Sequence, residues 1–243
     1  MNEIMKSIYA RKSMRAFEEK EVPENIKEEL INAALQAPTA GNQVLYSILE
    51  ISDEGLKEKL AVTCDNQPFI AKAPLVLVFL ADCRRWLDTY RFANIKAREP
   101  LAGDMLLAIE DAMIAAQNTV VAAESFGLGS CYIGDILENY EQHVELLNLD
   151  KYTIPISMVL YGYPTKVQKD RQKPTRVDKK YVVFKNQYRR LSGGEHRDMI
   201  EGAHPSIDFD SFVKAFCERK YMSGFSKEMS RSAEMYIKNF MGL

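Results

Sequence analysis

The spacing of apolar and polar positions along the chain predicts helices and strands in mixed order. Residues 2–10 read as a short helix. Val22-Pro23-Glu24 opens a second helix, with proline at the first helical position and acids in the first turn. Ile26, Leu30, Ile31, Ala34 and Leu35 then share one face until Pro38 ends the pattern. Residues 38–42, Pro-Thr-Ala-Gly-Asn, form a turn. Residues 44–51 are β-rich, residues 53–61 predict a short amphipathic helix, and the apolar run PLVLVFL at 74–80 predicts a strand buried on both faces. Residues 82–96 predict an aromatic-rich helix.

The strongest element is residues 104–126, which contain no proline, glycine or basic residue. At 1.5 Å per residue this helix is about 35 Å long. It is apolar nearly all round, which buries it either in a core or at a subunit interface. Gly127 supplies its C-terminal cap. GLGSCYIG at 127–134 follows as a glycine-rich loop, then a helix near 136–147 and a strand at 154–161. Residues 164–180 read as an extended, basic, irregular stretch, and 181–184 as a fourth short strand. Helices at 208–219 and 226–240 end the chain as an arm that can pack on this chain or on a partner. Strands and helices do not alternate regularly, which favours an α+β fold over a doubly wound parallel sheet.

Composition narrows the function classes. The chain has 243 residues, 47% of them apolar, and a net charge of −2. Such a chain buries a sizeable core, so disorder is excluded as its main state. The near-neutral charge argues against a dedicated nucleic-acid binder. The four cysteines stand far apart and the three histidines form no ligand pattern, so a structural zinc site is not expected and a reducing cytoplasm is. The first residues lack the apolar core of a signal peptide, and no apolar run reaches the roughly 20 residues of a bilayer span.

GLGSCYIG invites a dinucleotide reading, but a helix precedes it and its spacing is GxGxxxxG, so both context and spacing fail. It is either a helix cap with a tight turn, or a cluster of backbone N–H groups suited to a flat, oxygen-rich ligand. Arg11, Lys12, Ser13 and Arg15 crowd three cations and a hydroxyl into five residues. Residues 164–180 carry seven basic side chains, Arg171, Lys173 and Arg176 among them. Each segment alone is a solvated basic loop; converging, the two neutralise one phosphate dianion. No acid, base or nucleophile stands out, which points to a cofactor that does the chemistry.

Five motifs in order carry a resemblance: ARKSMRAF at 10–17, APTAGNQ at 37–43, TCDNQPFI at 63–70, GLGSCYIG at 127–134, and QKPTR at 172–176 followed by YVVFKNQYR. Together they resemble the flavin-dependent nitroreductase family, closest to its oxygen-insensitive, NADPH-using branch with a C-terminal helical extension. The resemblance implies an α+β fold with a mixed, mainly antiparallel sheet, and an interlocked homodimer with FMN at the interface. It implies residues 1–190 as the FMN-binding domain and 191–243 as its helical extension. It assigns Arg11, Lys12, Ser13 and Arg15 to the first FMN motif. Pro38, Thr39 and Asn42 match a turn that reaches FMN from the partner chain, and Gln67 matches a glutamine that hydrogen-bonds the flavin. Cys131, Tyr132, Ile133 and Gly134 match the segment along the ring. Lys173 and Arg176 match a second phosphate clamp; one residue more than the family's Lys-Pro-Arg intervenes here, which makes Arg171 an alternative to Arg176. No residue is assigned as catalytic or metal-binding. The implied activity is a ping-pong transfer of two electrons from NAD(P)H through FMN to a nitroaromatic, quinone or similar small acceptor. A flavin reductase or dehalogenase-like enzyme, and a non-enzymatic FMN redox sensor, are the alternatives.

Overall fold

The computed structural model describes residues 1–243. Four strands, β1 (Tyr46–Glu50), β2 (Leu75–Asp82), β3 (Gly129–Ile133) and β4 (Thr153–Gly162), form one sheet in the order β1-β2-β4-β3. Every strand pair is antiparallel; the one parallel pairing is a single bridge between Ser13 and Ser130. All eight residues of β2 are buried, as its unbroken apolar run requires.

Helices cover both faces. On one lie α2 (Glu24–Leu35) and α5 (Ala102–Ser125), whose Leu30, Ala34, Ala112, Ala115, Ala116, Val120 and Ala123 pack on Leu75, Leu77, Phe79 and Tyr161. The run of alanines on α5 brings helix and sheet close. On the other face α3 (Glu54–Thr63) sets Leu60 and Ala61 against Val76, Val78, Met158 and Leu160. A fully buried leucine of this kind contributes about 1.5–3 kcal/mol.

Termini of α5 are defined by local chemistry. Asp104 accepts the Leu101 N–H at 2.8 Å and pairs with Arg98. At the far end Gly127 takes φ +71° and the Leu128 N–H donates to the Ala123 carbonyl at 3.0 Å, a Schellman closure. By length and hydropathy α5 also passes for a membrane span, contrary to the expectation of no such run; its buried face, with Asp111 inside, is that of a core helix. The opposite face leaves Leu106, Leu107, Met113 and Ile114 exposed. The first helix, α1 (Glu3–Ala10), is amphipathic yet buries no residue.

Three expectations are corrected. Residues 129–133 of the glycine-rich segment form strand β3, an edge strand of the sheet, rather than a loop. Residues 181–184 are not a strand: Lys179–Tyr181 is a 3-10 turn, with Val182 and Val183 exposed. Within the basic stretch, Lys166–Asp170 forms a short helix, here α7. The remaining helices of the first part are α4 (Arg84–Phe92) and α6 (Tyr140–Leu146).

The chain divides into two compact units, residues 1–171 with 228–243, and residues 172–227. In the first, the end of α10 (Gly224–Met241) packs on this chain: Phe240 meets Tyr152 edge-on at 5.1 Å, Tyr236 meets Tyr140 at 4.7 Å, and Arg231 pairs with Glu141 at 2.8 Å. The second holds α8 (Gly193–Ala203), absent from the sequence expectations, and α9 (Phe209–Lys220). A reciprocal capping box between Ser192 and Glu195 starts α8, and Asp208 caps α9.

Candidate functional site

Two glycines opposite each other in the sheet, Gly129 on β3 and Gly162 on β4, let a loop lie against its edge. A Cβ at Gly129 would stand 2.5 Å from the Met14 side chain, and one at Gly162 would stand 2.8 Å from the Phe17 ring. Residues 11–17 therefore seat directly on the strands. The Met14 N–H donates to the Ser130 carbonyl at 2.9 Å. The segment after β4 clamps the loop from the other side. The Thr165 N–H donates to the Ala16 carbonyl at 3.2 Å. The Arg15 N–H donates to Gln168 Oε1 at 3.2 Å, and Lys12 Nζ donates to the Lys169 carbonyl at 2.6 Å. Arg171 Nη2 donates to the Ser13 carbonyl.

This packing leaves cationic hydrogen-bonding capacity over. Arg11 Nη1 and Arg171 Nε are buried without a partner, as is the Oγ of Ser130, the residue that bridges to Ser13. Beside them sits Cys131, 1% exposed. Burial pushes its thiol up, while the Arg15 and Arg11 charges and a hydrogen bond with Ser13 act against that rise. Tyr132 donates to Gln117 Oε1 at 3.2 Å, and burial pushes its phenol up to about 12.

β3 ends at Ile133, and Gly134 starts a one-turn 3-10 segment at Asp135–Leu137. Gln67 reaches this turn from the end of α3: its Nε2 donates to Asp135 Oδ2 at 2.9 Å and to the Cys64 carbonyl at 2.8 Å. Behind it His143 is fully buried, donating from Nδ1 to the Ile136 carbonyl at 2.9 Å and accepting at Nε2 from Thr63 Oγ1 at 2.7 Å. Burial lowers its pKa, so the ring is a neutral strut.

Thus Arg11, Lys12, Ser13, Arg15, Gln67, Cys131, Tyr132, Ile133 and Gly134 gather along β3, and Arg171 joins them. The turn 38–42 does not. It precedes β1, at the opposite edge of the sheet. There Asp111 of α5, 3% exposed, accepts from the Thr39 hydroxyl, from the Ala40 N–H at 2.9 Å and from the Leu45 N–H at 3.1 Å. The turn is tightly wound, with Asn42 at φ 58° and even the β-branched Val44 at φ 53°. Pro38 and Asn42 are exposed on it. Lys173 and Arg176 belong to the second unit; Lys173 is half-buried, and Arg176 is exposed on a cleft shared with Asp178, Lys180 and Tyr181.

Sequence reasoning did not single out Ser130, Asp111, Asp135 or Glu138. Asp111 carried a signal, since it is one of few acids within a long apolar helix, on its alanine-rich face.

Comparison with known proteins gives the family of the chain. The model of the nitroreductase family matches residues 8–163. An oxygen-insensitive NADPH nitroreductase of Salmonella typhimurium is 33% identical over 191 residues, 79% of this chain and 77% of its own. An FMN reductase [NAD(P)H] of Bacillus subtilis is 32% identical over 166 residues, 68% of this chain and 67% of its own. Among solved structures, NfrA1 of B. megaterium superposes with a TM-score of 0.80 at 26% identity, over 99% of this chain and 98% of that one.

Proposed function

The chain belongs to the nitroreductase family and is an FMN-dependent NAD(P)H oxidoreductase; on that premise we propose that its cofactor site is the surface built by residues 11–15, β3, Gln67 and Arg171, completed by the turn 38–42 of a second copy. The observation that carries this reading is the pair of buried, unpartnered guanidinium nitrogens on Arg11 and Arg171. Leaving such a donor unsatisfied costs on the order of 1–3 kcal/mol, so their natural complement is a phosphate dianion. The donor set fits the FMN phosphate: two arginine forks, the Ser130 hydroxyl, and Lys12 and Ser13 held firmly beside them.

Each residue then has a task. Arg11 and Arg171 grip the phosphate, with Arg171 in the role the resemblance gave to Arg176. Lys12 and Ser13 fix the loop, and the exposed Arg15 adds positive charge at its rim. Cys131, Tyr132, Ile133 and Gly134 run along the ring, and Gln67 hydrogen-bonds it. The Cys131 thiol stays neutral because burial raises it, so it lines the ring without attacking it. When bound, FMN would supply the redox chemistry, a two-electron transfer from NAD(P)H to an acceptor. The chain therefore needs no acid, base or nucleophile of its own.

Pro38, Thr39 and Asn42 serve the site of the partner protomer. Their position at the far sheet edge, and the exposed Leu106, Leu107, Met113 and Ile114 of α5, support a homodimer packed through α5. The acceptors are small aromatics: nitroaromatics, quinones or free flavin. Residues 1–190 carry the cofactor function and 191–243 extend it. Four thiols without a disulfide suit the cytoplasm.

The test is the cofactor itself. Mass analysis of the compound released by heating should give FMN. NADPH should bleach its absorption, and a nitroaromatic should restore it. Release of FAD, or a protein that stays colourless with added FMN, would overturn the reading.

A further inference from the structure

Both N–H groups of the Gln67 amide are occupied, one by Asp135 Oδ2 at 2.9 Å and one by the Cys64 carbonyl at 2.8 Å. Gln67 thus has only Oε1 to offer a ligand, and it can only accept. What keeps it so is Asp135, and Asp135 has a neighbour the proposed function does not use. Glu138 lies one turn further along and is 4% exposed; its backbone N–H donates to the Asp135 carbonyl at 3.0 Å, and its carboxyl meets that of Asp135. Its Oε1 is buried and has no hydrogen-bond partner. Two carboxyl groups in one hydrogen bond need a proton between them, and everything facing Glu138 favours keeping it. Asp135 on its own turn, Asp65 after α3 and Glu228 on α10 are all acidic. Arg231 is committed to Glu228 and Glu141. Cys64 is a buried thiol pushed up by burial and by Asp135 and Glu138, and His143 is buried and neutral.

We propose that Glu138 is a positioning residue: its protonated carboxyl donates to Asp135, which holds the Asp135 carboxylate on the Gln67 amide and so fixes Gln67 as a hydrogen-bond acceptor toward the flavin ring. This rests on the reading above that Gln67 faces the flavin. When Glu138 loses its proton to solvent, two carboxylates are left side by side. Asp135 then moves off Gln67, and the amide loses its fixed orientation. Burial and the surrounding acids raise Glu138 to about 7, so the brace opens near neutral pH.

Riboflavin is the probe of choice, because the FMN phosphate itself titrates near pH 6. Its affinity is measured by flavin fluorescence from pH 6 to pH 8 for the wild type, Glu138→Gln and Gln67→Ala. The neutral glutamine keeps a donor for Asp135 at every pH. The wild type should lose about fivefold in affinity over this range, the loss of one ordinary hydrogen bond. Glu138→Gln should stay within twofold of the wild-type value at pH 6. An equal loss in both proteins, or none in either, overturns the proposal and leaves the FMN site standing. Riboflavin binding unaffected by Gln67→Ala would instead remove Gln67 from the flavin and the proposal with it. A second readout needs no variant: infrared difference spectra of the flavin-free wild type should show a protonated carboxyl band that titrates near neutral pH. Absence of that band also overturns the proposal.

Discussion

Replacing Arg171 and Arg11 by alanine, singly and together, tests the phosphate assignment most directly. Each side chain carries one buried nitrogen without a partner. If that nitrogen meets the FMN phosphate, each substitution removes a charge-assisted hydrogen bond of about 1.5–3 kcal/mol. That corresponds to a loss of roughly 10-fold to 150-fold in FMN affinity. Arg171 also holds the Ser13 carbonyl, so its loss loosens the loop, and this part falls on riboflavin as well as on FMN. Holding that carbonyl is not a task of Arg11, which should therefore discriminate more sharply, with riboflavin affinity changing less than about threefold. The double variant should lose less than the sum of the two, because both arginines grip one group. Flavin-free protein gives an opposing sign. There Arg11→Ala removes an unsatisfied buried donor, so its melting temperature should hold or rise while FMN affinity falls. The assay is fluorescence titration of FMN and riboflavin, with thermal denaturation of the flavin-free proteins. Equal losses for the two flavins in Arg11→Ala would refute the clamp and make Arg11 a fold residue.

Other outcomes follow from single contacts. Asp111→Ala strands the Thr39 hydroxyl and the Ala40 and Leu45 N–H groups; it should cost about 3–5 kcal/mol and lower the melting temperature by roughly 10 °C. Glu138 is raised from 4.5 to about 7 in the fold, so the folded state binds the extra proton. Its contribution is whole below about pH 4.5 and is lost as pH rises through about 7; urea denaturation should show that decline in the wild type and not in Glu138→Gln. Charges on the exposed stripe of α5, Leu107→Glu with Ile114→Lys, should convert the proposed dimer to monomer in sedimentation and release FMN. Cys131→Ala should leave reductase activity within about tenfold, under roughly 1.4 kcal/mol in barrier; a loss beyond a thousandfold with FMN retained would give the thiol a chemical role.

Legibility in the sequence followed the strength of periodic pattern. The α5 and β2 segments were readable because each repeats one period without interruption: an apolar circumference ended by Gly127, and an unbroken aliphatic run. The β3 segment was not, because its residues answer to the loop lying on it rather than to alternation. Gly129 is there to admit Met14, and glycine reads locally as a turn. Residues 181–184 erred the other way, with β-branched Val182 and Val183 suggesting a strand although both are exposed. Two glycines and many polar residues hid α8, yet the Ser192–Glu195 capping box was written in the sequence. In the site, the ordered motifs brought out residues that the fold gathers along β3, among them Arg11, Ser13, Gln67 and Cys131. The residues that hold them in place, Asp111 and Asp135, have no local signature. Their partners lie 66 to 72 and 68 positions away in the chain.

Asp111 links the turn 38–42 to the proposed subunit interface. Its buried carboxylate fixes the turn at the β1 edge, while the same helix presents Leu106, Leu107, Met113 and Ile114 outward. Within one chain the turn and the loop 11–15 stand at opposite edges of the sheet. One protomer therefore cannot bring both to a single ligand without breaking its own core. In the proposed dimer a second copy packed through α5 would bring them together, since Asp111 of that helix also holds the turn. Rotating α5 by even a fraction of a turn would then disturb the interface and the site together. This coupling predicts a specific pattern: Asp111→Ala should weaken FMN binding and dimerisation in parallel, whereas Arg11→Ala should weaken FMN binding alone. Sedimentation of both variants without flavin distinguishes the two. A fully dimeric Asp111→Ala protein with normal FMN affinity would show that the turn serves neither.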